Sequence, residues 1–94
     1  MVLGMGIAVM TKVTEKQVQD QIVSADYYVF PGSTLTVCAL KLRNGFLVTG
    51  TSACASEASF SYAIGEHLAL QDATRKIWDL EGYLLRSKLA GHVT

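Results

Sequence analysis

Apolar residues recur along this chain with two periods, and each change of period predicts a new element. From Thr14 the spacing is helical. Val18, Ile22 and Ala25 fall on one face, as an amphipathic helix requires. Thr14-Glu15-Lys16-Gln17 fits a capping box, with Val13 and Val18 placed for a hydrophobic staple. This predicts a first helix from Thr14 to between Ser24 and Asp26, with Glu15, Lys16, Gln19 and Asp20 on its solvated side. The period then drops towards two. Asp26-Tyr27-Tyr28-Val29-Phe30 is rich in strand formers and stops at Pro31-Gly32, which reads as a short edge strand ending in a turn.

Leu35–Leu42 and Phe46–Ser52 are predicted as strands joined at Asn44-Gly45. Both central residues of a type I′ turn need positive φ, and Asn-Gly meets that need best. Such a two-residue turn sets Leu42 opposite Leu47, Leu40 opposite Thr49 and Cys38 opposite Thr51. It predicts a core face of Cys38, Leu40, Leu42 and Leu47. Val37, Ala39, Lys41 and Val48 then lie on the other face.

After a small-residue connector, Thr51–Ser56, helical spacing returns. Phe60, Ile64, Leu68, Ala73 and Ile77 predict a long helix over Ser59–Ile77, with Gly65 marking a close approach. Asp79 suits an N-cap for a last helix, Leu80–Leu89, closed by Gly91. The predicted architecture is α+β. A small antiparallel sheet built on the central Asn-Gly hairpin carries an N-terminal helix, a long helix and a C-terminal helix on one face. The whole of 1–94 is one domain, with an arm over 1–12 and a core over 13–90. Met1–Met10 is apolar but lacks a basic leader and is too short to span a bilayer.

Composition adds an expectation of self-association. Half of the 94 residues are hydrophobic, only 17% are charged, and mean hydropathy is +0.29. So short a chain has a thin core, so apolar surface is left over for an interface. The leucines of the last helix, Leu80, Leu84, Leu85 and Leu89, lie on more than one side. A homo-oligomer is expected. Eight basic and eight acidic residues cancel, which disfavours non-specific nucleic-acid binding. Local patches remain at Lys41/Arg43 and Arg75/Lys76.

Chemistry-bearing groups are few. Cys38 and Cys54 lack a CxxC spacing and read as buried, reduced thiols. His67 and His92 are the only histidines, and no metal-ligand spacing surrounds them. No catalytic residue, metal or cofactor is expected. Binding is the better expectation. Tyr27 and Tyr28 can stack on a ring, and Arg43 and Arg75 can hold a phosphate. Thr49 and Thr51 add hydroxyls. The plainer reading of the same residues is that the aromatics are core and the arginines surface.

Several of these segments carry a resemblance. They are Phe30-Pro31-Gly32, Leu35-Thr36-Val37-Cys38, Asn44-Gly45-Phe46, Val48-Thr49-Gly50, Ser52-Ala53-Cys54, Ile64-Gly65, and Trp78 with Leu80-Glu81-Gly82-Tyr83-Leu84-Leu85. From about Thr14 to Leu89 the chain resembles a family of small tailed-phage proteins. The family is named after gene product 49 of N4-like phages and gene product 66 of Sf6-like phages. Family members often carry proline where Asp79 stands, which implies a helix break there. They also often carry an acid where this chain has Thr51. The resemblance implies a phage or prophage accessory protein acting in the host bacterial cytoplasm, and it supplies no catalytic residue. Three functions follow as expectations. The first is sequestration of a phosphate-bearing small molecule, such as a nucleotide-type defence signal. The second is modulation of a host protein. The third, less favoured by the neutral charge, is nucleic-acid regulation. No membrane association is expected.

Overall fold

The computed structural model describes residues 12–91. The apolar arm over 1–10 and His92 therefore lie outside the described residues. The elements follow in the order α1 (Glu15–Asp20), β1 (Ile22–Val29), β2 (Leu35–Leu42), β3 (Leu47–Ala53), a single 3₁₀ turn (Glu57–Ser59) and α2 (Tyr62–Leu89). The three strands form one antiparallel sheet in the order β1-β2-β3, so the class is α+β.

The Thr14 hydroxyl caps α1 by accepting from the Gln17 amide at 3.2 Å. The other half of the predicted box is diverted, because the Gln17 amide group donates to Glu81 on α2 at 2.8 Å instead. α1 ends at Asp20, earlier than helical spacing predicts. Beyond it, β-branched Ile22 and Val23 pair better than they coil. Ile22 lies opposite Leu42, and a bulge at Val23 restores alternation before Ser24 meets Lys41. The predicted short edge strand is thus the second half of an eight-residue one.

The β2–β3 turn differs from the predicted two-residue form. The Leu42 amide donates to the Phe46 carbonyl at 2.9 Å, and the Gly45 amide to the Leu42 carbonyl at 2.9 Å. The loop is therefore Arg43-Asn44-Gly45, with positive φ (+88°) at Gly45 and not at Asn44. This is the three-residue hairpin with a left-handed final residue. The Asn44 side-chain oxygen accepts from the Phe46 amide at 2.9 Å and holds the turn without Asn44 crossing to positive φ. The register moves by one residue: Leu40 faces Val48 and Cys38 faces Gly50. A one-residue slip turns a strand over. Val48 is consequently buried and Leu47 is 61% exposed, the reverse of the predicted faces.

The core lies between this face and the first half of α2. Cys38, Leu40, Leu42 and Val48 meet Ala69, Ala73 and Ile77, with Val18 of α1 closing one end. Gly65, Ala69, Ala73 and Ile77 are the buried residues of α2 and recur every fourth position. The stripe is made mostly of small residues, which lets the helix backbone ride close to β2 and β3. The predicted break at Asp79 is absent and the two predicted C-terminal helices are one. Asp79 faces solvent and takes Arg75, one turn back, at 3.4 Å, an arrangement helices tolerate well. Twenty-eight residues make a helix about 42 Å long, against about 26 Å for an eight-residue strand. No residue of α2 beyond Ile77 is buried. Its second half extends past the sheet and touches the body through the Gln17–Glu81 bond.

Candidate functional site

The hairpin turn, α1 and the second half of α2 enclose a groove of about 490 Å³. It is lined by four cations, Lys12, Lys16, Arg43 and Lys88, by Asp20 and Glu81, and by two leucines of α2. Chain topology explains the gathering. Arg43 is at the turn because β2 ends there, and its backbone amide donates to the Gln21 carbonyl at 3.0 Å. Its Nε donates to the Asp20 carbonyl at 2.5 Å. Arg43 thereby satisfies two carbonyls at the end of α1 that the helix cannot satisfy itself. The Nη side of the fork, with its four remaining donors, makes no hydrogen bond among the described residues. Lys16 is engaged with Asp20 at 2.8 Å. That contact, reinforced by the field of Arg43, holds the Asp20 carboxyl below its ordinary value. Lys88, in the last turn of α2, makes no ion pair among the described residues. The size falls within the usual range for small-molecule sites.

A second hollow of about 510 Å³ lies between Glu15 and Gln19 of α1 and the flank of α2 that carries His67, Leu70, Arg75 and Trp78. Arg75 is held there between Asp72 and Asp79, at 3.4 Å from each.

The residues predicted to bind occupy different surfaces. Tyr28, Thr49 and Thr51 share the open face of the sheet, since Tyr28 lies opposite Val37 and Val37 opposite Thr51. There Tyr28 packs edge-on against Phe30, with ring centroids 5.0 Å apart. Tyr27 is on the helix-facing side, opposite Cys38 and packed against the core. Burial first, and Cys38 second, push its hydroxyl pKa up. Arg43 is in the cationic groove and Arg75 is on the outer flank of α2. No single pocket joins the six. Lys12, Lys16 and Lys88, which accompany Arg43, carry no local signal. They meet only because α1 docks on a helix more than sixty residues downstream.

The cysteines also divide. Cys38 is fully buried and burial raises its thiol pKa. Cys54 is half-buried, contrary to expectation. It donates to the Ser56 carbonyl at 3.1 Å and lies 3.3 Å from the Ser59 hydroxyl. These contacts, Ser59 first, lower its pKa. Among the described residues no three His, Cys, Asp or Glu side chains converge as a metal site would. Among them, too, no helix is long and apolar enough to cross a membrane.

A small α+β domain with a solvent-facing cationic groove does not by itself define a protein. The family is defined by sequence: residues 13–89 match the model of the phage protein (N4 Gp49/phage Sf6 gene 66) family. The chain belongs to that family. No curated protein and no solved structure matches it.

Proposed function

We propose that this phage-family protein works by stoichiometric capture. It holds a phosphate-bearing small molecule of the host, of nucleotide type, and so withdraws a defence signal in the bacterial cytoplasm. The observation that carries this reading is the meeting of Arg43, Lys88 and Lys12 in one groove of ligand size. Arg43 offers a fork suited to two phosphate oxygens, and Lys88 and Lys12 offer point charges. Hydrogen bonds to charged groups contribute about 1.5–3 kcal/mol each. Three of them sum to about 4.5–9 kcal/mol, which spans roughly half-millimolar to sub-micromolar affinity. Capture without reaction requires that the ligand leave heat-denatured protein chemically unchanged.

Calorimetry against a panel of linear and cyclic nucleotides tests the reading. Lys88→Ala and Arg43→Ala should each weaken binding about tenfold or more, the equivalent of one such contact. Arg75→Ala, on the other surface, should leave it alone. An absence of binding across the panel would overturn the proposal, as would affinity indifferent to both groove substitutions.

A second reading, modulation of a host protein, is favoured by the open face of the sheet. Tyr28, Phe30 and Leu47 are exposed there around the half-buried Leu35, Val37 and Ala39. Leu47→Asp would remove that surface while sparing the groove.

A further inference from the structure

Three glycines lie inside regular elements, and two are explained by neighbours in the same chain. A Cβ at Gly50 would strike the α2 backbone at Ala69 and Ala73, and one at Gly65 would come within 2.6 Å of the Thr36 hydroxyl. Gly82 is different. A Cβ there would meet nothing within 4 Å, and its φ is not positive. It stands in the interior of a helix, where glycine is the poorest choice after proline. Among the described residues of one copy, nothing accounts for it.

The surface around Gly82 has a period of its own. Ile64, Leu68, Trp78, Leu85 and Leu89 lie along one flank of α2 with Gly82. Gln71 and Arg75 complete the row, so that steps of four and three residues alternate without interruption. That is the spacing of a coiled-coil seam. It is offset from the stripe that faces the sheet. Ile64, Leu68, Trp78 and Leu89 are all exposed, and Leu85 is half-buried.

We propose that a second copy of this chain docks antiparallel along this seam. The row is complementary to itself when reversed. Ile64 meets the partner's Leu89, Leu68 meets the partner's Leu85, Gln71 meets the partner's Gly82, and Arg75 meets the partner's Trp78. The outer layers are aliphatic. The longer Gln71 side chain enters the space that Gly82 leaves, which accounts for the glycine. Arg75 lies over an indole face, the best cation–π partner. Asp72 and Asp79, which flank the seam, each keep their own Arg75 at 3.4 Å, so charge along the flank is balanced locally. A parallel pairing lacks these matches. It would set Arg75 against Arg75, and Gly82 against Gly82 with a void between them. The free half of α2 is then covered by the half that lies on the partner's sheet. Leu85 belongs both to the seam and to the cationic groove, so the groove opens beside the interface.

Sedimentation equilibrium of the full chain at micromolar concentration should give roughly twice the 10.2 kDa chain mass. In a Cys54→Ser background, the double variant Gln71→Cys, Gly82→Cys should form a covalent dimer under mild oxidation, and Gln71→Cys alone should not. Leu68→Glu, at an exposed position, should raise the dimer dissociation constant at least about 100-fold with an unchanged circular dichroism spectrum. Three results would overturn the proposal. One is a monomer at about 100 µM. Another is single-variant crosslinking equal to that of the double variant, which marks a parallel seam. The third is a dimer indifferent to Leu68→Glu, which places the interface elsewhere.

Discussion

Gly50, at the middle of β3, lies directly beneath Ala73 of α2: a Cβ at residue 50 would overlap the Ala73 amide nitrogen and the Ala69 carbonyl. Helix and sheet meet here backbone to backbone. Gly50→Ala should therefore destabilise the fold by about 2–3 kcal/mol, the upper range for overpacking, read as a lower urea midpoint with unchanged slope. The obstacle is main chain, so trimming the neighbour cannot help. Ala73→Gly should add its own helix cost of about 1 kcal/mol rather than rescue the first substitution. Rescue by Ala73→Gly would show that the contact is softer than its geometry.

Asp72 seals the outer edge of β3. Its carboxylate accepts the outward Thr51 amide at 2.9 Å and so blunts an edge that could otherwise pair with another strand. The Thr51 amide first, then Arg75, hold the carboxyl below its ordinary value near 3.8. Because the folded-state value is the lower one, the contribution is complete above the unfolded value. It is lost as pH falls through the folded one. Melting temperature should therefore decline below about pH 4, and more steeply in the wild type than in Asp72→Asn, whose amide oxygen still accepts from Thr51. Parallel declines in the two proteins would refute the role of the charge.

Much of the fold was legible because it is written locally. The Thr14 cap, the β2 core positions Cys38, Leu40 and Leu42, and a long helix after the sheet all follow from neighbours within a few residues. The buried stripe of that helix does not, because Phe60 precedes it and Ile64 and Leu68 are exposed, while Gly65 and Ala69 face the sheet with Ala73 and Ile77. What was not legible depends on distance. Ile22 fits a helix by spacing, and only pairing with Leu42 makes it strand. Asp79 suits a cap, yet the helix runs through it and Asp79 pairs with Arg75 one turn back. For the site, Arg43 was recognised as a cation that could meet a ligand. Its companions Lys16 and Lys88 are far apart in sequence and converge only through the Gln17–Glu81 contact. Tyr27 and Tyr28 are adjacent in sequence and so necessarily point to opposite faces of the sheet.

Thr36 is fully buried, and its hydroxyl has no hydrogen-bond partner among the described residues. It lies against Gly65 of α2. Thr36→Val keeps the shape and removes the unpaired oxygen, so it should stabilise the protein by about 1 kcal/mol. Thr36→Ser keeps the oxygen and loses a methyl, which should cost about 1 kcal/mol. Chemical denaturation of both variants checks the pair. Loss of stability in Thr36→Val would mean that the hydroxyl has a partner after all.

The β2–β3 register gives the sharpest test, because the two possible turns reverse the ranking of adjacent residues. Gly45 carries φ +88°, so Gly45→Val should cost more than about 1 kcal/mol under either turn. Asn44 distinguishes them. With Asn44 at negative φ, Asn44→Ala loses only the acceptor for the Phe46 amide, about 0.5–1.5 kcal/mol, and Asn44→Asp, which keeps that acceptor, should be near neutral. Further along β3, Val48 is in the core and Leu47 is not. Val48→Ala should therefore destabilise by about 2 kcal/mol, while Leu47→Ala should stay within about 0.5 kcal/mol of wild type. A larger loss at Leu47 than at Val48 would restore the two-residue turn and invert the sheet face on which the core is built.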